Sequence, residues 1–281
     1  MKKMLLGLIG AGIQRSLSPA LQEEEAQHHG LRLHYQLIDL KIAGAGVEAL
    51  PALMSAARIM RFDGLNITYP CKQSVIPLLD ALSEEARAIG AVNTVVREGN
   101  RLVGHNTDCS GWRWGFQRAL PRADLSRVVL LGAGGAGAAV GHAALGMGVR
   151  ELRIFDTDAS RSAALASSLG SRFPDRKTVQ VKDLGAAVQS ANGLIHCTPM
   201  GMAGHPGMPL PAECLRRELW VSEIVYVPLE TPLLKAARQA GCTTMDGGHM
   251  NVGQAVGGFK LFTGLDADAA RMDAHFRKLV A

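Results

Sequence analysis

A glycine-rich turn is the first group of residues whose types and spacing suit a chemical role. Gly132, Gly134 and Gly137 form a GxGxxG pattern directly after the apolar run at residues 128–131, and a small-residue helical pattern follows. Glycines in such a turn let the backbone approach a pyrophosphate, and the N-terminus of the following helix offers N–H groups to it. Asp156 ends the next apolar run, roughly 20 residues later, where an acid can accept hydrogen bonds from ribose hydroxyls. The alternative is that Asp156 or Asp158 only caps the helix that begins near Ala159.

Polar side chains also lie at predicted element ends in the first part of the chain. Ser16 and Ser18 stand at a predicted helix start, where two hydroxyls can bind a carboxylate, although capping by Ser18 alone is an alternative. Lys72 lies at a predicted strand-to-helix junction, where a solvated lysine is the ordinary outcome. Asn93 and the segment 105–108 (HNTD) are turn residues that commonly bond their own backbone. In isolation, each of these groups has a structural explanation as well as a functional one.

Alternating patterns predict the elements that position these groups. Apolar runs at 4–10, 35–40 and 64–68 alternate with helical patterns at 18–29, 47–58 and 72–82, which is typical of a mainly parallel sheet. Two further strands, 90–96 and 101–105, are predicted to close one edge of that sheet. A helix at 108–120 with one apolar face then leads into a second alternation, which ends in two helices at 250–262 and 267–279, beyond a turn at residues 247–248.

These patterns predict an α/β protein of two domains. A substrate-binding α/β domain with a mainly parallel sheet would comprise residues 1–107, completed by the terminal helices at 248–281. A Rossmann-type NAD-binding domain would comprise residues 108–247. The length of 281 residues is sufficient for a core in each.

Composition narrows the classes of function. The chain is 47% hydrophobic and 20% charged, which excludes disorder. Its net charge of +5 is scattered without a long basic run, which favours anionic small molecules over nucleic acid as partners. The five cysteines lack zinc-site spacing, so we expect no metal and reduced thiols in a cytoplasmic protein. No apolar stretch approaches the roughly 20 residues that a membrane span needs, and the short N-terminal run predicts a buried strand rather than a signal peptide.

Taken together, the motifs resemble those of one family. The segments GLIGAGIQRSLSPAL, GLNITYPCKQ, GAVNTVV, GHNTDCSGW, LLGAGGAG, CTPMGM, IVYVPLETPLLKAAR and GHMNVGQAVGGF follow the order seen in shikimate dehydrogenases, especially the NAD-linked quinate/shikimate branch. The resemblance covers nearly the whole chain. It implies NAD-dependent hydride transfer between shikimate or quinate and the 3-dehydro acid, in a protein that is a monomer or a homodimer.

The resemblance also implies roles for individual residues. Lys72 and Asp108 match the family's catalytic pair. The substrate carboxylate and ring hydroxyls would be bound by Ser16, Ser18, Thr68, Lys72, Asn93, Asp108 and Gln254. The cofactor would be bound by Gly132, Ala133, Gly134, Gly135, Ala136, Asp156, Arg161, Thr198, Pro199, Met200, Val225, Gly248 and Met250.

The chemistry needs one positioned base and no metal, because a hydride leaves the substrate carbon while a proton leaves its hydroxyl. An ammonium group cannot act as a base, so Lys72 must be partly neutral or share a proton with Asp108. The residues do not decide which of the two takes the proton, and the role is assigned to the pair.

Cofactor choice depends on residues 156–158. NADP-linked relatives place Asn-Arg-Thr after this strand, whereas this chain has Asp156-Thr157-Asp158, which favours NAD because a carboxylate repels a 2′-phosphate. Arg153 and Arg161 leave NADP open as the cofactor, since either could reach a phosphate.

The substrate is less closely defined than the cofactor. The sequence differs from the common family motifs at Ser18, Gln22, Glu23 and Tyr69, so shikimate, quinate and a related hydroxy acid all remain possible substrates. A non-catalytic NAD or metabolite sensor is a further alternative, which Lys72 and Asp108 argue against.

Overall fold

The chain folds into two compact α/β units in the computed structural model, which describes residues 2–202 and 204–280. One unit runs from the start of the described chain to Thr107 and includes Gln254–Leu279; the other is Asp108–Gly253. Each contains one six-stranded sheet with helices packed against it. The predicted α/β class with two sheets is therefore confirmed. Within the described residues, none of the helices combines the length and the apolar character of a membrane span.

Twelve strands and ten α-helices make up the described chain. In chain order they are β1 (Lys3–Gly10), α1 (Ser18–His28), β2 (Arg32–Asp39), α2 (Leu50–Ile59), β3 (Gly64–Ile67), β4 (Ala81–Leu82), α3 (Glu84–Ile89), β5 (Thr94–Glu98), β6 (Arg101–His105), α4 (Thr107–Ala119), β7 (Arg127–Leu131), α5 (Gly135–Gly146), β8 (Glu151–Phe155), α6 (Ala159–Arg172), β9 (Lys177–Gln180), α7 (Leu184–Gln189), β10 (Gly193–His196), β11 (Trp220–Glu223), α8 (Pro232–Gln239), β12 (Thr243–Met245), α9 (Gly247–Thr263) and α10 (Ala269–Val280).

The first sheet has the strand order β2-β1-β3-β5-β6-β4. Strands β1, β2 and β3 are parallel, whereas β3, β5 and β6 pair antiparallel. Strand β1 is buried on both faces, which explains why its sequence is an apolar run without alternation. The short strand β4 pairs parallel with β6 and forms the edge. The predicted hairpin of β5 and β6 therefore forms, but it lies one strand inside the edge that it was expected to close.

The prediction of a helix at residues 72–82 is wrong. Only a 3-10 turn forms there, at Ile76–Leu78, before the chain enters β4. Pro77 explains the difference, because it lacks an N–H group and disfavours a helical conformation in the residue before it. The helix in this region is α3, whose start is capped by Ser83 Oγ accepting from Ala86 N at 3.1 Å and whose end is the left-handed Gly90.

The second sheet is parallel throughout, in the order β12-β11-β10-β7-β8-β9. This is the Rossmann order, in which the chain reverses direction across the sheet between β7 and β10. Ligands of such sheets bind beyond the carboxyl ends of the strands at this switch point. The residues that follow β7 and β10 are therefore the ones to examine for a cofactor site.

Helix α9 begins earlier than predicted. Gly247 and Gly248 are its first residues rather than a separate turn, and Asp246 Oδ1 accepts from Gly248 N at 2.9 Å at this helix start. A Cβ on Gly253 would come 2.5 Å from the carbonyl oxygen of Gly111 on α4. The glycines thus allow α4 and α9 to pack backbone against backbone within the second unit.

A buried ion pair holds α10 against α1 within the first unit. Glu25 is 1% exposed, and its two carboxylate oxygens accept from Arg271 Nη2 at 2.7 Å and Nε at 2.8 Å. Burial raises the pKa of Glu25, but Arg271, the Asp268 N–H and His29 together hold that pKa below its ordinary value. The pair therefore stabilises the fold above the ordinary carboxyl pKa, and this contribution is lost as the pH falls through the lowered value.

Replacing Glu25 with glutamine is expected to lower the free energy of unfolding by about 2–3 kcal/mol at neutral pH, because Arg271 loses its partner but keeps some access to water. The deficit should shrink in acid, where the parent loses the ionised carboxylate too. Urea unfolding at both pH values measures this. Glu24→Gln is the matched control, since Glu24 is 41% exposed beside His28, and it should cost under about 1 kcal/mol. A pH-independent deficit in Glu25→Gln would contradict the role of charge.

Candidate active site

The glycine-rich turn between β7 and α5 has the close backbone contacts that its sequence predicts. Gly132 has φ +102°, and a Cβ there would lie 2.8 Å from the carbonyl oxygen of Cys197. A Cβ on Gly137 would overlap the carbonyl oxygen of Gly132. Gly134 is the N-cap residue of α5, and no described side chain caps this helix start. The turn therefore presents the N-terminus of α5 beside the switch point, in the geometry that suits a phosphate.

Asp156 is directed at this turn. Its Oδ2 accepts from Ala133 N at 2.7 Å and its Oδ1 accepts from Asp158 N at 2.9 Å. The cap of α6 is Asp158 instead, whose Oδ1 accepts from Ser160 N at 2.9 Å. The two acids thus have separate functions, and the carboxylate at the end of β8 lies where ribose hydroxyls of a dinucleotide would be recognised.

The two arginines near this position differ in their freedom. Arg153 is held by Glu151 Oε1 at 2.6 Å, Ser190 Oγ at 2.6 Å and the carbonyl of Ala187 at 3.1 Å. The side chain of Arg161 is 66% exposed, and its Nε lies 3.4 Å from Oδ2 of Asp158, the cap of α6. Of these two, Arg161 is the one with a guanidinium available to a ligand.

The loops after β10 and β11 form the other half of the switch point. Thr198 Oγ1 accepts from Met200 N at 3.2 Å, and Pro199 and Met200 are exposed. Val225 is buried, and its carbonyl oxygen would overlap a Cβ on Gly247, so the start of α9 passes directly against it. Gly248 and Met250 follow as buried residues of that helix. The structure therefore brings Val225 and Gly248 into one neighbourhood of the second unit.

In the first unit, the loop that carries Ser16 and Ser18 leaves the carboxyl end of β1. Ser18 is the first residue of α1 rather than its cap: the N-cap position is Leu17, and no side chain of the described chain caps this helix. Ser16 Oγ lies 3.2 Å from Ser18 Oγ. Because neither hydroxyl is used for capping, both can serve as donors to a carboxylate at the helix start.

Asp39, at the end of β2, fixes the conformation of this loop. The carboxylate accepts four hydrogen bonds of 2.8–3.1 Å, from Gly12 N, Ile13 N, Gln14 Nε2 and Lys41 N. Burial raises the pKa of Asp39, but these four donors outweigh it and hold the pKa below its ordinary value. The loop is thus organised around a buried, ionised carboxylate.

A buried polar network positions Asn93 and the end of β3. Asn93 Oδ1 accepts from Thr107 N at 2.7 Å, and its Nδ2 donates to Thr107 Oγ1 at 3.0 Å. Thr68 follows β3 and donates its N–H to the carbonyl of Ile9 at 2.9 Å. A Cβ on Gly10 would overlap the Thr68 side chain, so Gly10 makes room for it.

Lys72 lies beside this network. It is half-buried, and its carbonyl accepts from Val92 N at 2.8 Å, which places it next to the segment that leads to Asn93. Gln254 is half-buried on α9, where Gln22 Nε2 donates to the adjacent Ala255 carbonyl at 2.9 Å. The first unit therefore carries Thr68, Lys72 and Asn93 on the segments that join β3 to β5, and Gln254 on α9.

Asp108 begins the second unit and is buried in the first turn of α4, directly after Thr107. Cys71, the residue before Lys72, is not suited to nucleophilic chemistry, because burial raises the pKa of its thiol to about 11. Lys72 carries an amine and Asp108 a carboxylate, two types of group that can take part in proton transfer.

Three polar residues at these strand ends were not predicted from the sequence: Asp39, His196 and Glu223. His196 and Glu223 are both 0% exposed, with Nδ1 and Oε1 2.9 Å apart. Each of these residues is the last one of a strand whose sequence is an apolar or mixed run. A titratable side chain in that position was the available signal. It did not reveal their partners, which come from other segments of the chain.

Comparison with known proteins identifies the family to which the chain belongs. Residues 8–95 match the model of the shikimate dehydrogenase substrate binding domain. The chain is 54% identical to shikimate dehydrogenase (NADP(+)) of Streptomyces avermitilis, over 98% of this chain and 95% of that protein. It is 45% identical to quinate/shikimate dehydrogenase (NAD(+)) of Corynebacterium glutamicum, over 98% and 99% of the two chains. The solved quinate dehydrogenase of Corynebacterium glutamicum in complex with NAD superposes with a TM-score of 0.91 at 43% identity, covering 99% and 100%. The chain therefore belongs to the shikimate dehydrogenase family and is an oxidoreductase of the shikimate/quinate dehydrogenase class.

Proposed function

We propose that this enzyme oxidises shikimate, and quinate as a related substrate, to the 3-dehydro acid with NAD as the hydride acceptor, and catalyses the reverse reduction. The observation that carries the cofactor choice is the Asp156 carboxylate, bonded to the Ala133 N–H of the glycine-rich turn and not used as a helix cap. A carboxylate there accepts from ribose hydroxyls and repels a 2′-phosphate. Thr157 follows it where an arginine clamp would be needed for NADP.

The cofactor would bind across the switch point of the second sheet. The pyrophosphate would lie on the turn at residues 132–136 and the adenosine ribose on Asp156. Arg161, which pairs with Asp158 at the start of α6, would border the ribose. The nicotinamide would contact Thr198, Pro199, Met200 and Val225, with Gly248 and Met250 near it. When bound, NAD supplies the acceptor for a hydride from the substrate carbon.

The substrate would be held by the first unit. Ser16 and Ser18 would bind its carboxylate at the start of α1, where the helix dipole favours an anion. Thr68, Asn93 and Gln254 would hydrogen-bond the ring hydroxyls. Such a polar lining suits a polyhydroxy acid, because each ring hydroxyl needs a partner when it leaves water.

Proton transfer is assigned to Lys72 and Asp108 as a pair. As the hydride leaves, the substrate hydroxyl must lose its proton, and an amine or a carboxylate within hydrogen-bond reach can accept it. Asp108 would balance the charge of a protonated Lys72 after the transfer. The pair would work in both directions, since the same groups return the proton when the keto acid is reduced.

NADP is the alternative cofactor, and two observations favour it. The 54% identical relative is named an NADP(+) enzyme, and the exposed Arg161 guanidinium is able to meet a phosphate. The engagement of Arg153 by Glu151 and Ser190 removes the other candidate clamp. One exposed arginine beside a carboxylate is a weaker phosphate site than a bidentate clamp, so NAD remains the proposal.

A steady-state screen tests this function. Shikimate, quinate and close hydroxy acids are each mixed with the enzyme and either NAD or NADP, and formation of the reduced cofactor is followed by absorbance. We expect turnover with shikimate at least as efficient as with quinate. Turnover only with an acid that lacks the vicinal ring hydroxyls would contradict the substrate assignment, and binding of NADH without turnover of any acid would favour a sensor.

Changing Asp39 to asparagine is expected to raise the KM for shikimate about tenfold with kcat changed less than about threefold, because an amide cannot accept all four donors that order the Ser16–Ser18 loop. Asp63→Asn is the matched control. Asp63 Oδ2 accepts from Leu5 N at 2.8 Å near the opposite end of β1. The control also loses a hydrogen bond from backbone to carboxylate, although one rather than four, and it should leave the KM unchanged. Equal KM effects in both variants would show that loss of stability, rather than loop geometry, is responsible.

A further inference from the structure

A buried hydrogen-bonded pair of polar side chains lies at the ends of β10 and β11, and the proposed chemistry does not use it. His196 and Glu223 end these strands and are 0% exposed. His196 Nδ1 lies 2.9 Å from Glu223 Oε1 and 3.0 Å from Oε2. Removing polar side chains from water is costly even when they are hydrogen-bonded, and apolar residues of similar volume often stabilise a core as well. Stability alone therefore does not explain two polar side chains at this place.

The carboxylate of Glu223 is fully engaged by donors. Oε1 accepts from Ile224 N at 2.9 Å and from Val225 N at 3.0 Å, and Oε2 accepts from Thr231 Oγ1 at 3.0 Å. Thr231 in turn caps α8 by accepting from Leu234 N. Glu223 thus holds the backbone at Val225 and joins it to the start of α8.

The same carboxylate fixes the orientation of His196. Because a carboxylate can only accept, Nδ1 of the imidazole must carry the hydrogen, and Nε2 then faces Thr198 Oγ1 at 2.5 Å. Thr198 Oγ1 also accepts from Met200 N at 3.2 Å. A continuous chain of hydrogen bonds therefore runs from Met200 through Thr198, His196 and Glu223 to Val225.

We propose that His196 and Glu223 are positioning residues that lock the loops at 198–200 and at Val225 together, and so preorganise the site for the nicotinamide ring. This rests on the proposed function, in which both loops contact that ring. The locked geometry spares the cofactor the entropic cost of ordering two loops when it binds. These residues would affect only the nicotinamide half of the cofactor, since the glycine-rich turn and Asp156 are the proposed site of the adenosine half.

His196→Asn separates the two bonds of the imidazole. The asparagine amide reaches the position of Nδ1 and keeps the donor to Glu223, but nothing replaces Nε2 opposite Thr198. We expect the affinity for NADH to fall roughly five- to tenfold, the effect of one well-placed hydrogen bond, while the affinity for ADP-ribose, which lacks nicotinamide, is unchanged. Titrations followed by protein and nicotinamide fluorescence measure both ligands. Ser222→Ala is the control: it removes the equally buried bond from Trp112 Nε1 to Ser222 Oγ at 3.0 Å and should leave both affinities intact.

Thr198→Val, which keeps the side-chain volume, completes a double-mutant cycle. If His196 acts through Thr198, adding His196→Asn to Thr198→Val should cause no further loss of NADH affinity. Additive losses, or equal losses for NADH and ADP-ribose, would overturn the positioning role. If the unmodified enzyme bound NADPH instead of NADH, the proposed NAD preference would be wrong. The positioning role would then be tested by the same cycle with NADPH and 2′-phospho-ADP-ribose as the two ligands. If it bound neither reduced dinucleotide, both would fall.

Discussion

Replacing Lys72 with alanine is expected to lower kcat for shikimate oxidation by about 10²–10⁴-fold, the usual contribution of a positioned proton acceptor. NADH affinity should stay the same, because the glycine-rich turn, Asp156 and the loops after β10 and β11 all lie in the second unit, whereas Lys72 belongs to the first. Asp108→Asn should cause a loss of similar kind, since the two residues are assigned to one proton transfer. Stopped-flow and steady-state rates with both substrates saturating give the measurement.

Lys260→Ala is the matched control for Lys72. It removes the same charge from the same unit, at an exposed ion pair with Asp266 Oδ1 at 2.8 Å, where the cost in stability is at most about 1 kcal/mol. Its kcat should equal that of the parent. If Lys72→Ala retained kcat within a few-fold while it folded normally, Lys72 would be a substrate ligand only, and another group would have to take the proton.

The second large effect is expected at the end of β8. Changing Asp156 to asparagine together with Thr157 to arginine should shift the ratio of kcat/KM for NADP to that for NAD by about 10²-fold or more. One part comes from removal of the repelling carboxylate and the other from a new charge-assisted bond to the 2′-phosphate, each about 1.5–3 kcal/mol. This double variant and Asp156→Asn alone are both compared with the parent at saturating shikimate.

Asp158→Asn provides the control for charge alone. It removes one negative charge two residues away, and asparagine remains a good cap for α6. The cofactor ratio should therefore change little. A shift equal to that of Asp156→Asn would mean that general electrostatics near α6, and not contact with the ribose, sets the preference.

The second unit was the more predictable half of the fold. Its strands are apolar runs separated by helical patterns, and the glycine spacing predicts a tight turn between a strand and a helix. The positions of β7, α5, β8 and Asp156 could therefore be predicted from the sequence alone. Strand β12, only three residues long, was missed, and the turn expected at Gly247 became the first turn of α9. Short edge strands carry too few residues to show a period.

Residues 72–90 were the least predictable. The apolar spacing there suits a helix, but Pro77 and the side chain of Asp80, which accepts from Leu102 N at 2.6 Å, draw the chain to the edge of the first sheet as β4. That outcome depends on β6, which lies 20 residues away in sequence, and no local pattern reports it. Lys72 still follows β3 as expected, although a loop rather than a helix carries it.

The site residues divide in the same way. Ser16, Lys72, Asn93 and Asp156 were visible as polar residues at element ends. Asp39 and the pair of His196 and Glu223 were not, because their functions depend on strand register and on loops that meet only in the folded chain. The groups proposed to face the ligands could thus be recognised from their residue types, whereas the groups that hold these loops in place required the structure.

The most direct test of the central claim is a comparison of kcat/KM for NAD and NADP in the unmodified enzyme, at saturating shikimate and constant ionic strength. The carboxylate of Asp156 against the glycine-rich turn, with Thr157 beside it, predicts that NAD is preferred by about 10²-fold or more, as expected when a phosphate meets like charge without a clamp. Equal efficiency, or a preference for NADP, would contradict the account.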